Sequence, residues 1–353
     1  IDEMCSLLDK SLNDGAVGFS SGLYYAPCLF ATDEEMIALL KVVKEHDAFF
    51  AVHHKCEGDD VVESVENVIN YARVTGVRLE ISHLKAIGVR NQDKVDKVLE
   101  LIDRAVREDL DVKFDQYPYS FGSTSLFSLL PPRIQKLSRI EQRFALSIDA
   151  EIERMEEEME NPVGWDSIYS LCGSKNIKIT ELSTNKEYEG LNLDELGEKL
   201  KLTPLRALLY VLSEESGSAI MFDETETEEN LIKILKHPLM SFGTDSLYSS
   251  VHPHPRSFSS AVELIKKYVL DKRVISLEEA VNKMTYRNAQ KLGLKNRGLI
   301  EEGKIADLVL FDPKTLNVSY TDEVKSGIKA VFVNGNLAVF DNAYTDKLYG
   351  EVL

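Results

Sequence analysis

Short apolar runs alternate with amphipathic segments along the first third of the chain. The apolar runs predict strands at residues 16–20, 49–53, 77–82 and 112–115. Between them, apolar residues recur at helical spacing from Thr32, over about 61–74 and over about 93–107. Thr32 and Glu35 have the spacing of a capping box, and Gly76 is a stop signal after the second helix. This alternation predicts a parallel α/β sheet or barrel.

The pattern changes after the first third of the chain. From about residue 126 to 238 it is more helical and less regular. Over the rest of the chain, helices are predicted at 204–213, 227–236, 259–270, 277–284 and 287–292. Strands are predicted at 239–245, 306–311 and 330–334. The last two strands, which follow Gly298, indicate a small β-domain beside the main sheet.

Polar residues follow several of the predicted strands. His53, His83 and Asp115 end three consecutive strands, and Asp245 ends a later one. A parallel barrel carries its chemistry at the C-terminal ends of its strands. Two imidazoles there could bind Zn²⁺, and a carboxylate could move a proton. A single His after an apolar strand is often a hydrogen-bonded core residue, but two at matched positions together with Asp245 favour a metal hydrolase.

Composition restricts the partners and the compartment. The formal net charge of −18 argues against nucleic acid or an anionic membrane surface as a partner. The four cysteines are scattered without paired spacing, which favours a reducing compartment. The sequence has neither an apolar run approaching the roughly 20 residues of a membrane span nor a signal peptide. We therefore expect a cytoplasmic protein.

An ordered series of motifs carries a family resemblance. It comprises GAVGFSSGLYYAP (15–27), HHKCEGD (53–59), ISHLK (81–85), DQYPY (115–119), NPVGWDSI (161–168), EENLIKILKHP (228–238), GTDS (243–246), HPRSF (254–258), NRGLIEEGKIADLVLFDP (296–313) and GIKAVFVNG (327–335). With these segments the chain resembles the D-aminoacylase (N-acyl-D-amino-acid deacylase) branch of the amidohydrolase superfamily. The resemblance implies an α/β fold, a partial TIM-like metal-dependent amidohydrolase barrel over 1–295 with a helical insertion at about 126–238. A small β-domain segment would occupy 296–353.

The resemblance also implies roles for the strand-end residues. His53, preferred over His54, and His83 would be Zn²⁺ ligands. Asp245 falls on the catalytic Asp of the family. Lys85 and Arg256 fall on residues that hold the α-carboxylate of the substrate, which agrees with the need of a carboxylate for cationic partners.

Further residues are expected around this core of the site. Tyr25, Tyr117 and Tyr119 would orient the substrate and its scissile carbonyl, although aromatic packing at a barrel rim explains Tyr117 nearly as well. Two further residues, Lys55 and Glu57, would orient the metal ligands without binding the metal themselves. Lys55 stands where the family usually has Arg. We interpret His252 and His254 as polar loop residues.

The chain departs from the family at its start. Family members begin with a β-domain segment, then a barrel strand with His-x-His, then a strand with a Cys metal ligand, and these have no counterpart here. We therefore expect an N-terminally truncated fragment whose first barrel strands are missing. As an isolated chain it is expected to show weak or absent catalysis, because the metal site lacks the Cys.

The predicted reaction is metal-dependent hydrolysis of the amide bond of small N-acyl-D-amino acids. An alternative is a cyclic-amide hydrolase of the dihydropyrimidinase or hydantoinase type. That group is expected to have a carboxylated Lys on the strand that here contains AVGFSS, and no Lys is present. A second alternative is a truncated, non-catalytic scaffold. Zinc content would distinguish the two hypotheses, because the enzyme must bind the metal and a scaffold need not.

Overall fold

A computed structural model describes residues 1–247, 253–319, 323–345 and 347–352. His252 lies outside these ranges. Internal contacts divide the chain into two units. Unit 1 comprises Ile1–Phe114, Tyr119–Leu231 and Leu247–His254, and unit 2 comprises Asp115–Pro118, Ile232–Ser246 and Pro255–Leu353.

The first part of unit 1 alternates strands with helices. The strands are β1 (Gly18–Gly22), β2 (Phe49–His53), β3 (Arg78–Ile81) and β4 (Val112–Gln116), whose last two residues are assigned to unit 2. The helices are α1 (Asp2–Asn13), α2 (Asp33–Glu45), α3 (Val61–Thr75) and α4 (Val95–Arg107). Successive strands pair in parallel, β1 with β2, β2 with β3 and β3 with β4. The predicted parallel α/β arrangement is confirmed.

Local sequence signals explain the ends of these helices. The hydroxyl of Thr32 accepts a hydrogen bond from the backbone N–H of Glu35 at 3.2 Å, which caps α2. Gly76 ends α3 with φ of 71°, a left-handed conformation that glycine adopts without steric cost. Met36, Leu39, Leu40 and Val43 form the buried face of α2. These residues are the ones whose spacing predicted the helix.

The second part of unit 1 contains both helices and a sheet. Strands β5 (Phe121–Ser125), β6 (Ile177–Leu182) and β7 (Ala219–Glu224) form an antiparallel sheet in the order β5-β7-β6. The helices are α5 (Pro132–Gln135), α6 (Arg139–Ala145), α7 (Asp149–Glu160), α8 (Ile168–Cys172), α9 (Leu193–Leu200), α10 (Pro204–Glu214) and the start of α11 (Glu228–Lys236). The segment 126–238, predicted as a helical insertion, therefore also contributes two strands to a sheet.

Unit 2 contains a short strand, a helical segment and a second antiparallel sheet. Strand β8 (Met240–Phe242) is followed by α12 (Arg256–Glu263), a π-helix over Leu264–Asp271, α13 (Leu277–Met284) and α14 (Tyr286–Lys291). Strands β9 (Leu308–Phe311), β10 (Ile328–Val333), β11 (Asn336–Phe340) and β12 (Ala343–Tyr344) form a sheet in the order β12-β11-β10-β9. The predicted C-terminal β-structure is confirmed, whereas the domain boundary between residues 295 and 296 stays a prediction.

Within the part of the chain that the structure describes, no helix combines the length and the apolar character needed to cross a bilayer.

Candidate metal centre

The ends of β2 and β3 bring two histidines of unit 1 together. Val52 is paired with Ile81 in the parallel register, and the N–H of Ser82 donates to the carbonyl oxygen of Val52 at 3.0 Å. His53 is the last residue of β2, and His83 follows β3 by two residues. Both residues therefore lie at the C-terminal end of the parallel strands, where folds of this kind place their catalytic residues.

The two imidazoles present nitrogen atoms to each other. Nδ1 of His53 lies 3.1 Å from Nε2 of His83. In a tetrahedral zinc site with Zn–N bonds of about 2.0–2.1 Å, two ligand nitrogens are about 3.3 Å apart. Burial lowers the pKa of His53 well below its usual value, against an opposing effect of Glu57. His53 is therefore neutral, as a metal ligand must be, and the pair fits a zinc ion.

The buried carboxylate of Glu57 contacts His83. Oε1 of Glu57 lies 3.2 Å from Nδ1 of His83, and Oε2 lies 3.9 Å from Nε2 of His53. Among the described residues, these three side chains have ligand atoms within 4.8 Å of one another. When Glu57 accepts the Nδ1–H of His83, the lone pair of Nε2 faces His53. In that tautomer, Nε2 of His83 carries the lone pair that a metal ion binds.

Lys85 neutralises this carboxylate. Its Nζ lies 2.8 Å from Oε1 of Glu57 and 2.9 Å from both Nδ1 and the carbonyl oxygen of His83. Burial alone would raise the pKa of Glu57, but Lys85 and the two histidines outweigh it and hold that pKa well below its usual range. The structure thus places Lys85, expected at the substrate carboxylate, against Glu57 and His83.

The backbone of His83 is strained. Its φ is 38°, in the left-handed region that residues with a side chain seldom adopt. Such conformations persist where the surrounding contacts over-determine them, and they concentrate at functional sites. Glu57 and Lys85 supply such contacts to His83.

Two neighbouring tyrosines pack against His53. The ring centroid of Tyr25, one of the predicted substrate residues, is 5.0 Å from that of His53, and its hydroxyl is 3.1 Å from Oγ1 of Thr124. Burial raises the pKa of Tyr25 to about 12, so its hydroxyl keeps its proton. Tyr24, which the motif analysis did not single out, has its ring 5.7 Å from His53.

Other predicted residues of unit 1 lie in different surroundings. Tyr119 is buried, with its ring 5.8 Å from Phe121 and 5.2 Å from His254. His254, interpreted from the sequence as a polar loop residue, lies outside the helices and strands but is buried, and its Nε2 is 3.0 Å from the carbonyl oxygen of Phe121. Lys55 is exposed and lines a cleft of about 250 Å³ with Cys28 and Cys56.

In unit 2, the predicted base and one predicted carboxylate-binding residue form an ion pair. Nη1 of Arg256 lies 2.7 Å from Oδ2 of Asp245. The side chain of Arg256 is 3% exposed and that of Asp245 is 39% exposed. The guanidinium also lies 5.0 Å from the ring centroid of the buried Tyr117. Asp245 has a φ of 46° and so shares the left-handed backbone seen at His83.

Two buried acids of unit 1 were missed by the sequence analysis. Burial raises the pKa of Asp166 to about 6, although backbone N–H groups of Gly58 and Glu57 oppose the rise. Burial likewise raises the pKa of Glu226 to about 8, with Lys85 opposing. Asp166 lies within the motif NPVGWDSI, which could have marked it as a candidate residue. Glu226 lies in an acidic run of the kind that is typical of a solvated surface, so its burial was not predictable.

Comparison with known proteins identifies the family. The model of the Amidohydrolase family matches residues 143–338, more than half of the chain. The chain belongs to the amidohydrolase family.

Curated relatives of this amidohydrolase chain are named for D-amino-acid substrates. A D-aminoacylase of Alcaligenes xylosoxydans xylosoxydans is 29% identical over 100% of this chain and 64% of its own length. An N-acyl-D-glutamate deacylase of the same organism is 30% identical over 98% of this chain and 62% of its own length. The chain thus spans somewhat less than two thirds of the length of the relatives it matches.

Solved structures support the same grouping. The N-acyl-D-glutamate deacylase of Bordetella bronchiseptica, complexed with zinc and a phosphonate inhibitor, superposes with a TM-score of 0.77 at 29% identity, covering 96% of this chain and 63% of that one. The dihydropyrimidinase of Brevibacillus agri superposes with a TM-score of 0.56 at 15% identity, covering 97% of this chain and 68% of that one. The latter likeness shows a shared fold alone.

Proposed function

We propose that the polypeptide carrying this amidohydrolase chain is a zinc-dependent deacylase of N-acyl-D-amino acids. The observation that carries the proposal is the pair of strand-end imidazoles, with Nδ1 of His53 3.1 Å from Nε2 of His83 and Glu57 behind it. The names of the curated relatives supply the substrate class. His53 and His83 would hold the ion, and zinc fits two imidazoles near a carboxylate.

The chain's own residues would position the substrate and move one proton. Polarisation of the acyl carbonyl and activation of water are the chemistry that zinc supplies when bound. Asp245 takes a proton from the attacking water and delivers it to the nitrogen of the departing D-amino acid. Its 39% exposed carboxylate is accessible for this exchange. The water oxygen ends in the new carboxylate, and the amide C–N bond is the bond that breaks.

Cationic and aromatic residues would bind the substrate. Arg256 offers a planar fork that matches an α-carboxylate, and the ring of Tyr117 stacks near it. Lys85 would supply a second cation, with one ammonium N–H turned from Glu57 to the carboxylate of the substrate. Tyr25 and Tyr119 would help to orient the substrate and its scissile carbonyl, and Tyr25 remains a hydrogen-bond donor because its pKa is raised.

The test is an assay of the natural polypeptide that carries this sequence. Its zinc content is measured together with the hydrolysis of N-acetyl-D-methionine and N-acetyl-D-glutamate, and the L-enantiomers are the matched control. We expect bound zinc and release of D-amino acid in preference to L. Zinc without turnover of any acyl amino acid would contradict the deacylase assignment, and the absence of both zinc and turnover would favour a scaffold.

Two further features complete the proposal. The cyclic-amide alternative is disfavoured because β1, read as GFSSG, carries no lysine to be carboxylated. A reducing, cytoplasmic location is supported by the four cysteines, which are all unpaired. Recovery of the protein from an oxidising compartment, with its cysteines paired, would contradict that location.

A further inference from the structure

Asp166 lies between helices α7 and α8 of unit 1, far in sequence from the residues of the candidate metal centre. It precedes Ser167, the N-cap of α8. The hydroxyl of Ser167 donates to the carbonyl oxygen of Met159 at 2.6 Å and accepts from the N–H of Ser170 at 3.2 Å. Asp166 is itself 6% exposed. Its position is therefore set by α7 and α8 on either side.

The carboxylate of Asp166 holds the turn that carries Glu57. Oδ2 accepts the backbone N–H of Gly58 at 2.7 Å, and the backbone N–H of Glu57 is a second donor. A Cβ atom at Gly58 would lie 2.5 Å from Cδ1 of Leu171 and 3.0 Å from Oδ1 of Asp166. The lack of a side chain at Gly58 thus permits this close approach. A buried carboxylate with two backbone donors is a strong, directional support.

The backbone of Asp166 also contacts the residue that packs on His53. The hydroxyl of Tyr24 donates to the carbonyl oxygens of Asp166 and Ser128, at 3.3 Å in each case. The ring of Tyr24 is 5.7 Å from His53 and edge-on to Tyr25 at 5.0 Å. Asp166 is therefore linked to each histidine through one intervening residue. Glu57 connects it to His83, and Tyr24 connects it to His53.

We propose that Asp166 is a positioning residue of the metal centre, holding Glu57 behind His83 and Tyr24 against His53. The inference rests on the proposed zinc site but not on the identity of the substrate. Residues that orient metal ligands from outside typically change metal affinity by about 10–100-fold when replaced. Asp166 acts one step further out, so the effect is expected at the lower end of that range.

The main test is the zinc affinity of Asp166→Asn, measured by competition with a chromophoric chelator. The amide keeps the shape of the side chain but turns an N–H₂ group towards one of the two backbone donors. We expect zinc to bind about tenfold more weakly. Asp59→Asn is the matched control, because it also replaces one carboxylate by an amide, next to Gly58 in the turn that Asp166 contacts. Asp59 pairs with the exposed Arg90 at 2.7 Å, and its replacement should leave the affinity within twofold.

A second measurement separates positioning from general stability. In the metal-free protein, ¹⁵N chemical shifts of the His83 ring report which nitrogen carries the proton. We expect the Nδ1–H tautomer to be less populated in Asp166→Asn than in the wild type, because Glu57 is no longer held beside Nδ1. A variant that was only less stable would keep the tautomer of the wild type.

Tyr24→Phe is a second variant that tests the same role if Asp166→Asn does not fold. It removes one hydroxyl and should weaken zinc binding by about threefold. Wild-type affinity in Asp166→Asn, or in Tyr24→Phe where the first variant is unfolded, would overturn the role of Asp166. Absence of zinc binding in the wild-type natural polypeptide would overturn the proposed metal site as well, so the two failures are distinguishable.

Discussion

The His53–His83 cluster of unit 1 and the Asp245–Arg256 pair of unit 2 both follow the end of a strand, but they differ in burial. Glu57, His83 and Lys85 are each at most 8% exposed, and each contacts the other two. The side chain of Asp245 is 39% exposed, and its 2.7 Å contact is with Arg256.

The difference fits the two chemical tasks that we propose for these regions. A metal ligand must be held in one geometry and one protonation state, and burial among fixed partners achieves both. A proton carrier must exchange with water and with a leaving group, and partial exposure permits this. The comparison therefore predicts that changes in the buried cluster affect metal binding and stability, whereas changes at Asp245 affect turnover.

Asp245→Asn gives the largest expected effect and separates the two regions most sharply. The amide cannot take a proton from water, so turnover should fall by about 10⁴-fold, because in the proposed mechanism Asp245 serves as both base and acid. Zinc content should stay that of the wild type. Steady-state kinetics and metal analysis of the same sample check both points. Asp271→Asn, an exposed partner of Lys266, is the control, and retained turnover in Asp245→Asn would refute the assigned role.

His83→Ala is the corresponding change in the buried cluster. It removes a proposed ligand, so zinc should bind about 10³-fold more weakly, a larger loss than that expected from residues that only orient the ligands. Chelator competition measures the affinity. His46→Ala is the matched control, because His46 pairs with Asp9 on the surface. Equal zinc affinity in both variants would place the metal elsewhere.

Lys85→Met tests the mutual dependence of the buried charges. It leaves the carboxylate of Glu57 buried without its cation, which should lower the free energy of unfolding by about 3 kcal/mol. Chemical denaturation at neutral pH measures the change. The control Lys55→Met alters an exposed lysine nearby and should change the free energy by less than about 0.5 kcal/mol. Similar effects of the two substitutions would contradict the comparison.

Glu226→Gln should have the smallest effect, confined to the pH dependence of stability. Burial raises the pKa of Glu226 to about 8 in the folded chain, so between its ordinary value of 4.5 and 8 the folded state keeps a proton that the unfolded state has lost. Stability is lost as the pH rises through this window. Between pH 5 and 7 the wild type should lose about 2 kcal/mol more than Glu226→Gln.

The control for this pH dependence is Glu224→Gln, at an exposed position of β7. Denaturation midpoints are compared at pH 5, 6 and 7 for the three proteins. Parallel pH profiles of the wild type and Glu226→Gln would show that Glu226 titrates in the same range in both states.

The parallel strands and their polar ends were predictable because the relevant signals are local. Strand β2 has the predicted bounds, and His53 and His83 follow apolar runs that a buried parallel sheet requires. Strands β6 and β7 were less evident. In β7 burial alternates, yet its first four residues, AIMF, are all apolar, so no alternation is visible in the sequence.

The contacts that support the site are beyond the reach of local patterns. Asp166 meets Gly58 across 108 residues of chain, and no spacing rule connects them. The left-handed backbone of His83 likewise results from tertiary contacts, since the residue type does not favour it. Glu57 was predicted near the ligands from its motif, but its ion pair with Lys85 depends on the fold.

The proposed metal centre can be tested by anomalous diffraction at the zinc edge, from crystals of the natural polypeptide that carries this sequence, grown with zinc. We expect a peak between Nδ1 of His53 and Nε2 of His83, about 2.0–2.1 Å from each nitrogen. A peak at another set of side chains, or none between these two histidines, would contradict the proposed metal centre.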